Sequence, residues 1–391
     1  MVLEEPYLLS SIIFTGPQRP FAFTKSTDEE VYAMYDIVIV GAGPAGATLA
    51  RLAAGNYRIL LLDKRELTGS SAQKTFEKCC GGLLAPDAQH MLAVLGLGIP
   101  REILVGPQLF TVRTIDLCNK LERYYQRHYI NVDREAFDRW LVSLVPKEVD
   151  ICCGALYKSH SITEDGVKVN YIYKGKECTA NTRILAGADG AGSKVRADAF
   201  PGMKSPDLYV SIQEWYKAQN SLPYFSSIFD EEITDFYSWT IPKDDCLLVG
   251  TAIPYGENAW ARFELLKTKL KSYGFDLKTK IKTKGALICR PKKLGHIHNG
   301  AGSIALLGEA AGWISPSSAE GMSYSFKSAL ALAGSLEAGI EGYMDRYAKK
   351  TASLRRNIFI KNLKAPFMYH TKIRKMVMQS GLLSMDILVK A

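Results

Sequence analysis

The sequence predicts an α/β fold of mixed α+β character, a Rossmann-like domain interleaved with a second β-sheet domain, followed by C-terminal helices. Three observations predict it. Within residues 35–63 an apolar run, a glycine turn, a helix-patterned stretch and a second apolar run follow in order. Residues 235–252, DFYSWTIPKDDCLLVGTA, alternate in period 2 around a charged turn, the pattern of a β-hairpin. Residues 346–391 hold eleven Lys or Arg against the single acid Asp386, interleaved with apolar residues.

The bounds set by composition agree with a globular protein. The chain has 391 residues, enough for one large domain or two interleaved ones, with 47% apolar and 23% charged residues. No stretch approaches 18 uninterrupted apolar residues, so a spanning helix is not expected. Residues 1–33 contain one short apolar run, Tyr7 to Phe14, preceded by Glu4 and Glu5 instead of basic residues. That is not a secretory signal, and the segment is read as an N-terminal extension or mobile arm. Of the net charge of +9, residues 346–391 contribute +10 (eleven minus one), leaving about −1 for the rest. A basic tail on a near-neutral body argues against a nucleic-acid binder. The eight cysteines include the adjacent pairs Cys79–Cys80 and Cys152–Cys153 and no C-x-x-C, so free thiols in a reducing cytoplasm are expected, and no metal.

The first apolar run, Ile37–Val40, enters G-x-G-x-x-G at Gly41, Gly43 and Gly46. Gly41 permits the sharp turn, Gly43 lets a pyrophosphate approach the backbone, and Gly46 lets helix and strand pack closely. The pyrophosphate meets unpaired N–H groups at the start of the helix, where Pro44 and Ala45 stand. Asp63 ends the second strand (Ile59–Leu62), 22 residues beyond Gly41, placed to accept from a ribose, with Lys64 beside it. Strand, turn, helix, strand and acid in order make this a Rossmann-like dinucleotide site.

Two distant segments bear on which dinucleotide. ILAGADGAGSKVR (184–196) is a strand running into Gly187, Asp189 and Gly190; SIALLGEAAGWISPSSAEGMSYSF (303–326) is a strand, an acid, a loop and a helix start. With the first motif they resemble the para-hydroxybenzoate-hydroxylase-like FAD superfamily. That resemblance implies FAD, with Asp189 and Gly190 supporting the cofactor and the third segment holding ribityl chain and flavin. Glu309 stands where that family usually has Asp, which implies a shifted backbone or a water bridge. The helix beginning at Gly321–Met322 is expected to aim its N–H groups at the flavin's N1–C2=O edge.

Three further stretches resemble the geranylgeranyl reductase family: Cys80-Gly81-Gly82; Asp133-Arg134-x-x-Phe137-Asp138 in VDREAFDRWL; and Tyr237-x-Trp239-x-x-Pro242 followed by Gly250. Ile241 and Ala252 depart from that family's Phe and Gly. The resemblance, over roughly residues 34–340, implies that Cys80 faces the flavin from the substrate side, as a proton donor or a small polar wall. It implies that Arg134 lies beside flavin or pyrophosphate and that Tyr237 and Trp239 line a greasy slot above the flavin. A buried thiol and two core aromatics are the alternatives. The regions then expected are an extension at 1–33; an FAD-binding domain from 34–100, 130–200 and 290–340; a substrate-binding sheet from 101–129 and 201–289; and a basic helical region at 341–391.

These features imply an FAD-dependent oxidoreductase of cytoplasmic location that reduces C=C bonds of a hydrophobic, prenyl- or lipid-like substrate. NAD(P)H or a reduced electron carrier would be the donor. A monooxygenase acting on an aromatic or lipid substrate is the alternative. The Trp239-x-Ile241-Pro242 overlap with halogenases is weaker, and a non-catalytic flavin-binding protein belongs to another class. Oligomeric state is not legible. In the tail, Pro366 is expected to break the run into two short helices. Their lysines and arginines, Arg374 among them, either meet an anionic membrane at its periphery or are solvated on a docked helix pair.

Overall fold

Ile37–Val40 and Ile59–Leu62 have no polar face, and both runs become strands buried on both sides, as parallel strands covered by helices must be. The computed structural model describes residues 34–68, 79–218 and 223–388. The expected N-terminal extension, 1–33, lies outside them. Strands β1 (Tyr35–Val40), β2 (Ile59–Asp63), β3 (Leu83–Leu84), β4 (Leu109–Asp116), β5 (Leu121–Asn131), β6 (Asp150–Cys153), β7 (Leu156–Thr163) and β8 (Gly166–Tyr173) come first. Then follow β9 (Lys176–Gly187), β10 (Asp207–Lys217), β11 (Phe225–Phe229), β12 (Ser238–Lys243), β13 (Cys246–Pro254), β14 (Lys280–Arg290), β15 (Gly300–Ala301) and β16 (Ile304–Leu306). The helices are α1 (Pro44–Ala53), α2 (Pro86–Val94), α3 (Arg134–Ser143), α4 (Lys194–Ala199), α5 (Ala259–Ser272), α6 (Met322–Leu336), α7 (Tyr343–Lys350), α8 (Ala352–Tyr369) and α9 (Thr371–Ser380).

The fold is mixed α/β with two sheets. The first runs β15-β16-β9-β1-β2-β6, with β7 and β8 folded back onto β9. Strands β16, β9, β1, β2 and β6 are mutually parallel, so their C-terminal ends share one edge. In open α/β sheets that edge is where ligands bind. One face buries Ile37 and Ile39 with Leu49, Phe137 and Phe326; the other buries Val38, Val40 and Leu60 with Trp313 and Ile358. The alternation follows from the period of 2 along each strand.

The second sheet runs β14-β10-β13-β12-β11-β4-β5-β3, antiparallel except for the β11–β4 pair. Its strands come from residues 83–131 and 207–290, between segments of the first sheet. Leu83 and Leu84 pair with Asn131 and Ile130, at the end of this sheet. One face packs Ile212 and Val249 against Phe263 and Leu266 of α5, and the opposite face carries Tyr209, Trp239, Ile241 and Leu248.

The C-terminal region corrects two expectations. Pro366 does not split the run; α8 passes through it and ends at Tyr369. The proline sits in the last turn, where its missing N–H costs one bond to Asn362, and the break falls at His370, whose backbone is extended. Arg374 is not a solvated or lipid-facing cation. It is buried, its Nε donating to Asp116 Oδ2 at 2.7 Å and its Nη1 to the Met368 carbonyl at 3.0 Å. This pair staples α9 to the end of β4.

Breaking a buried pair leaves an uncompensated charge, which is costlier than never having built it. Asp116→Ala is expected to lower stability by about 3–5 kcal/mol in urea unfolding. A loss near zero would show that Arg374 finds water or another acceptor and that the staple is dispensable.

Candidate functional site

The glycine turn after β1 is set by close approach. A Cβ at Gly41 (φ +107°) would lie 2.4 Å from the Ala188 carbonyl oxygen, and one at Gly46 would lie 1.8 Å from the Gly41 oxygen. Gly43 differs. A Cβ there meets nothing nearer than Arg65 Nη2 at 3.9 Å, so the protein itself does not require glycine at this position. α1 begins at Pro44 with no side-chain cap. Ala45 is buried, and its Cβ would lie 2.9 Å from a Cβ at Gly308, so the third glycine segment rests directly on α1. The loops after β1, β9 and β16 thus meet at one edge of the first sheet.

Asp63 does not stand free for a ribose. Its Oδ2 accepts from Ala42 N at 2.7 Å and Arg65 Nη2 at 3.0 Å, and its Oδ1 from Arg65 N at 2.8 Å and Arg65 Nε at 3.1 Å. Four donors fill the roughly four lone-pair positions of a carboxylate. Lys64 is exposed, and the cation turned inward is Arg65. Arg65 Nη1 continues to Asp138 Oδ2 at 2.8 Å; Arg134 Nη2 and Nε grip Asp138 Oδ1 at 2.8 and 3.0 Å; Arg134 Nη1 donates to Cys80 Sγ at 3.5 Å. A ladder of alternating charge therefore runs from the nucleotide turn to Cys80. Burial alone would lower the pKa of Arg134, but Asp138 and Cys80 more than offset it and the net shift is upward. Sequence reasoning missed Arg65 and gave Asp138 no role beyond its motif, although its i,i+4 spacing from Arg134 was the signal for the pair.

The Cys80–Gly82 segment is shaped by the second sheet. A Cβ on Gly81 would sit 2.5 Å from Ile241 Cδ1, and one on Gly82 (φ +62°) would sit 2.3 Å from the Val132 oxygen and 2.7 Å from Lys243 Nζ. Gly82 is therefore held to glycine by the Val132 backbone, whereas at Gly81, a cofactor-binding candidate by the resemblance, the near neighbour is the movable tip of the Ile241 side chain. Cys80 is half-buried, while Cys79 is buried against Ser211 and the Lys284 carbonyl. Lys243, read in the sequence only as turn charge, sends Nζ to Asn131 Oδ1 at 2.5 Å and to the Val132 oxygen at 2.8 Å. Burial draws its pKa down from 10.5 to about 8.

Trp239 and Ile241 share the face of the second sheet that turns away from α5, with Tyr237 against them. The Trp239 ring lies on Gly250, its strand partner, where a Cβ would come within 2.5 Å of Nε1. That Nε1 is buried without an acceptor among the described residues. Tyr237 Oη donates to the Ser318 carbonyl at 2.7 Å, so the aromatic face meets the loop between β16 and α6. Arg290 Nε donates to Pro316 in the same loop at 3.0 Å.

Other expected residues have structural partners. Asp189 accepts from Ser193 Oγ at 2.5 Å and from the N–H groups of Lys194 and Val195, fixing the start of α4. Gly190 (φ +84°) completes that turn, and burial raises the Asp189 pKa. Glu309 accepts from the Cys289 N–H of β14 at 2.9 Å. The N-terminus of α6 at Gly321–Met322 is already served by a carboxylate: Glu320 takes the Ser323 N–H at 2.8 Å and the Ser323 hydroxyl at 2.6 Å.

Comparison with known proteins places these features. Residues 39–85 match the NAD(P)-binding Rossmann-like domain. Protein CbrA of Escherichia coli O9:H4 is 38% identical over 347 residues, covering 89% of this chain and 93% of that protein. A geranylgeranyl bacteriochlorophyll reductase-like protein from Thermoplasma acidophilum superposes with a TM-score of 0.74 at 18% identity, over 88% of this chain and 90% of that one. PqsL, a probable FAD-dependent monooxygenase from Pseudomonas aeruginosa, does so with a TM-score of 0.65 at 18% identity, over 89% and 100%. At such identities the likeness to the two solved structures is one of fold.

Two measurements probe the site. Truncating a buried Trp costs about 3–5 kcal/mol, so Trp239→Ala should lower stability by that amount. A stable variant with altered ligand binding would instead make the ring a wall of an open slot. Lys243 in the folded chain releases its proton near pH 8 and in the unfolded chain near 10.5, so the unfolded state binds more protons between them. Stability of the native protein relative to Lys243→Met should therefore rise as pH increases through that window. A flat difference would mean that the ammonium is fully solvated.

Proposed function

The chain belongs to the CbrA family, and from that premise we propose that it is an FAD-dependent oxidoreductase that reduces C=C bonds of a hydrophobic, prenyl- or lipid-like substrate. The observation that carries the cofactor is Gly43: a bare backbone that no protein atom requires to be glycine-sized, the nearest to a Cβ there being Arg65 Nη2 at 3.9 Å, at the uncapped start of α1. A pyrophosphate fits such a cradle, because helix-start N–H groups and the dipole both favour an anion. When bound there, FAD supplies hydride chemistry that no side chain can.

The chain's own residues do the rest. The Asp63–Arg65–Asp138–Arg134 ladder orients the turn and holds the Cys80 segment beside it. Cys80 Sγ, within reach of Arg134, is the group on this face that can hold and deliver a proton to the carbon that does not receive hydride. The packed face of Trp239 and Ile241, with Tyr237 against it, backs the site with apolar surface and excludes water. The electron donor is NAD(P)H or a reduced carrier. Hydroxylation is the second reading, favoured by the fold shared with PqsL.

Gly43→Val tests the cofactor. Because the protein leaves room for a side chain at that position, the variant should fold, melt with the FAD-free wild-type protein and purify colourless. A yellow variant with the same FAD content would remove this turn from the reading. The reaction is tested by anaerobic reduction followed by mixing with a prenyl lipid. Flavin reoxidation without oxygen, giving a saturated product, is the expected result. Turnover only with oxygen, giving a hydroxylated product, would select the second reading.

A further inference from the structure

Helix α8 has apolar residues on two opposite faces. The inner stripe, Leu354 and Ile358, is buried against the first sheet. On the outer side of the helix, Phe359, Ile360, Leu363 and Phe367 are 47%, 42%, 60% and 56% exposed. At 100° per residue, Ile360, Leu363 and Phe367 centre on the side opposite Ile358, with exposed Arg356 and Lys364 among them. Scattered single apolar residues are ordinary on a surface, but a contiguous stripe on one helix face marks a contact. α9 follows with Lys372 and Lys375 exposed around Met376, which is 70% exposed.

We infer that the outer face of α8, with the basic face of α9, docks on an anionic lipid membrane. The occupant follows from charge. Residues 346–391 carry eleven basic residues and one acid, so apposing two copies of this face would bring like charges together. An apolar stripe among cations, lying parallel to its support, is the arrangement that buries side chains in the acyl boundary while lysines meet headgroups. Among the described residues no helix is long and apolar enough to cross a membrane, so the contact is peripheral. Arg374, paired with Asp116, takes no part. The inner side of the same helix supplies Asn362, Ala365, Pro366 and Tyr369 to a cleft of about 640 Å³ shared with Phe236 and Arg290. Tyr369 Oη reaches the Ser317 carbonyl at 2.7 Å, in the loop that also receives Tyr237. The docked helix is thus one wall away from the aromatic face.

The test is co-sedimentation of the full-length protein with vesicles of phosphatidylcholine alone and of phosphatidylcholine with phosphatidylglycerol. Binding to the anionic vesicles alone, weakened by salt, is expected. The double change Arg356→Gln and Lys364→Gln should lower the partition coefficient by roughly 30-fold at low salt, two cations' share of headgroup attraction. Leu363→Ser with Phe367→Ser should lower it as well. Neither pair touches the buried stripe, so the melting temperature should not move. Binding to neither vesicle, or equal binding to both that salt does not change, overturns the inference. A concentration-dependent dimer lost in the Leu363/Phe367 variant would also overturn it, assigning the face to a second copy. None of these outcomes bears on FAD content, which the Gly43 variant reads separately.

Discussion

The buried charge ladder from Asp63 through Arg65 and Asp138 to Arg134 is the constraint on which the rest of the structure depends. Asp63 ends the second strand of the first sheet, Arg134 and Asp138 lie on α3, and Cys80 lies on the segment that leads into the second sheet. Such a chain adds little net stability, because each charge loses its hydration. Its value is geometric. With every carboxylate oxygen of Asp63 and both of Asp138 engaged, the turn that faces the nucleotide space has one arrangement.

The second sheet is held to that frame by contacts of small reach. Gly81 accepts Ile241, Glu309 accepts the Cys289 N–H, and Ser318 accepts Tyr237. Each joins a loop at the C-terminal edge of the first sheet to a strand, or strand end, of the second. The aromatic face of β12 is therefore fixed over the loops that end the parallel strands, and α5 covers the opposite face. Gly250 sets the depth of that face, since any side chain there would lift Trp239 off its strand partner.

The C-terminal helices divide their labour by face. Leu354, Ile358 and Arg374 close the structure, while the stripe from Phe359 to Phe367 remains outside. Because α8 also walls the cleft beside Tyr369, an exposed apolar stripe and an interior space share one element.

Local sequence determined a good deal of this. Buried strands at Ile37–Val40 and Ile59–Leu62, the turns at Gly41 and Gly46 and the hairpin around Lys243 are products of period and glycine placement, which act between near neighbours. What the sequence could not determine is who meets whom across the fold. Nothing local says that Arg65 will fold back on Asp63, or that Ile241 will reach Gly81 from 160 residues away. Arg374 looks like one more surface cation until Asp116 is brought beneath it, and Lys243 like turn charge until three carbonyl oxygens enclose it. Hydrogen bonds and ion pairs act over a few ångströms and are indifferent to separation along the chain. Only the tertiary structure, which sets those distances, could decide which side chains remain for chemistry and which are spent holding the site together.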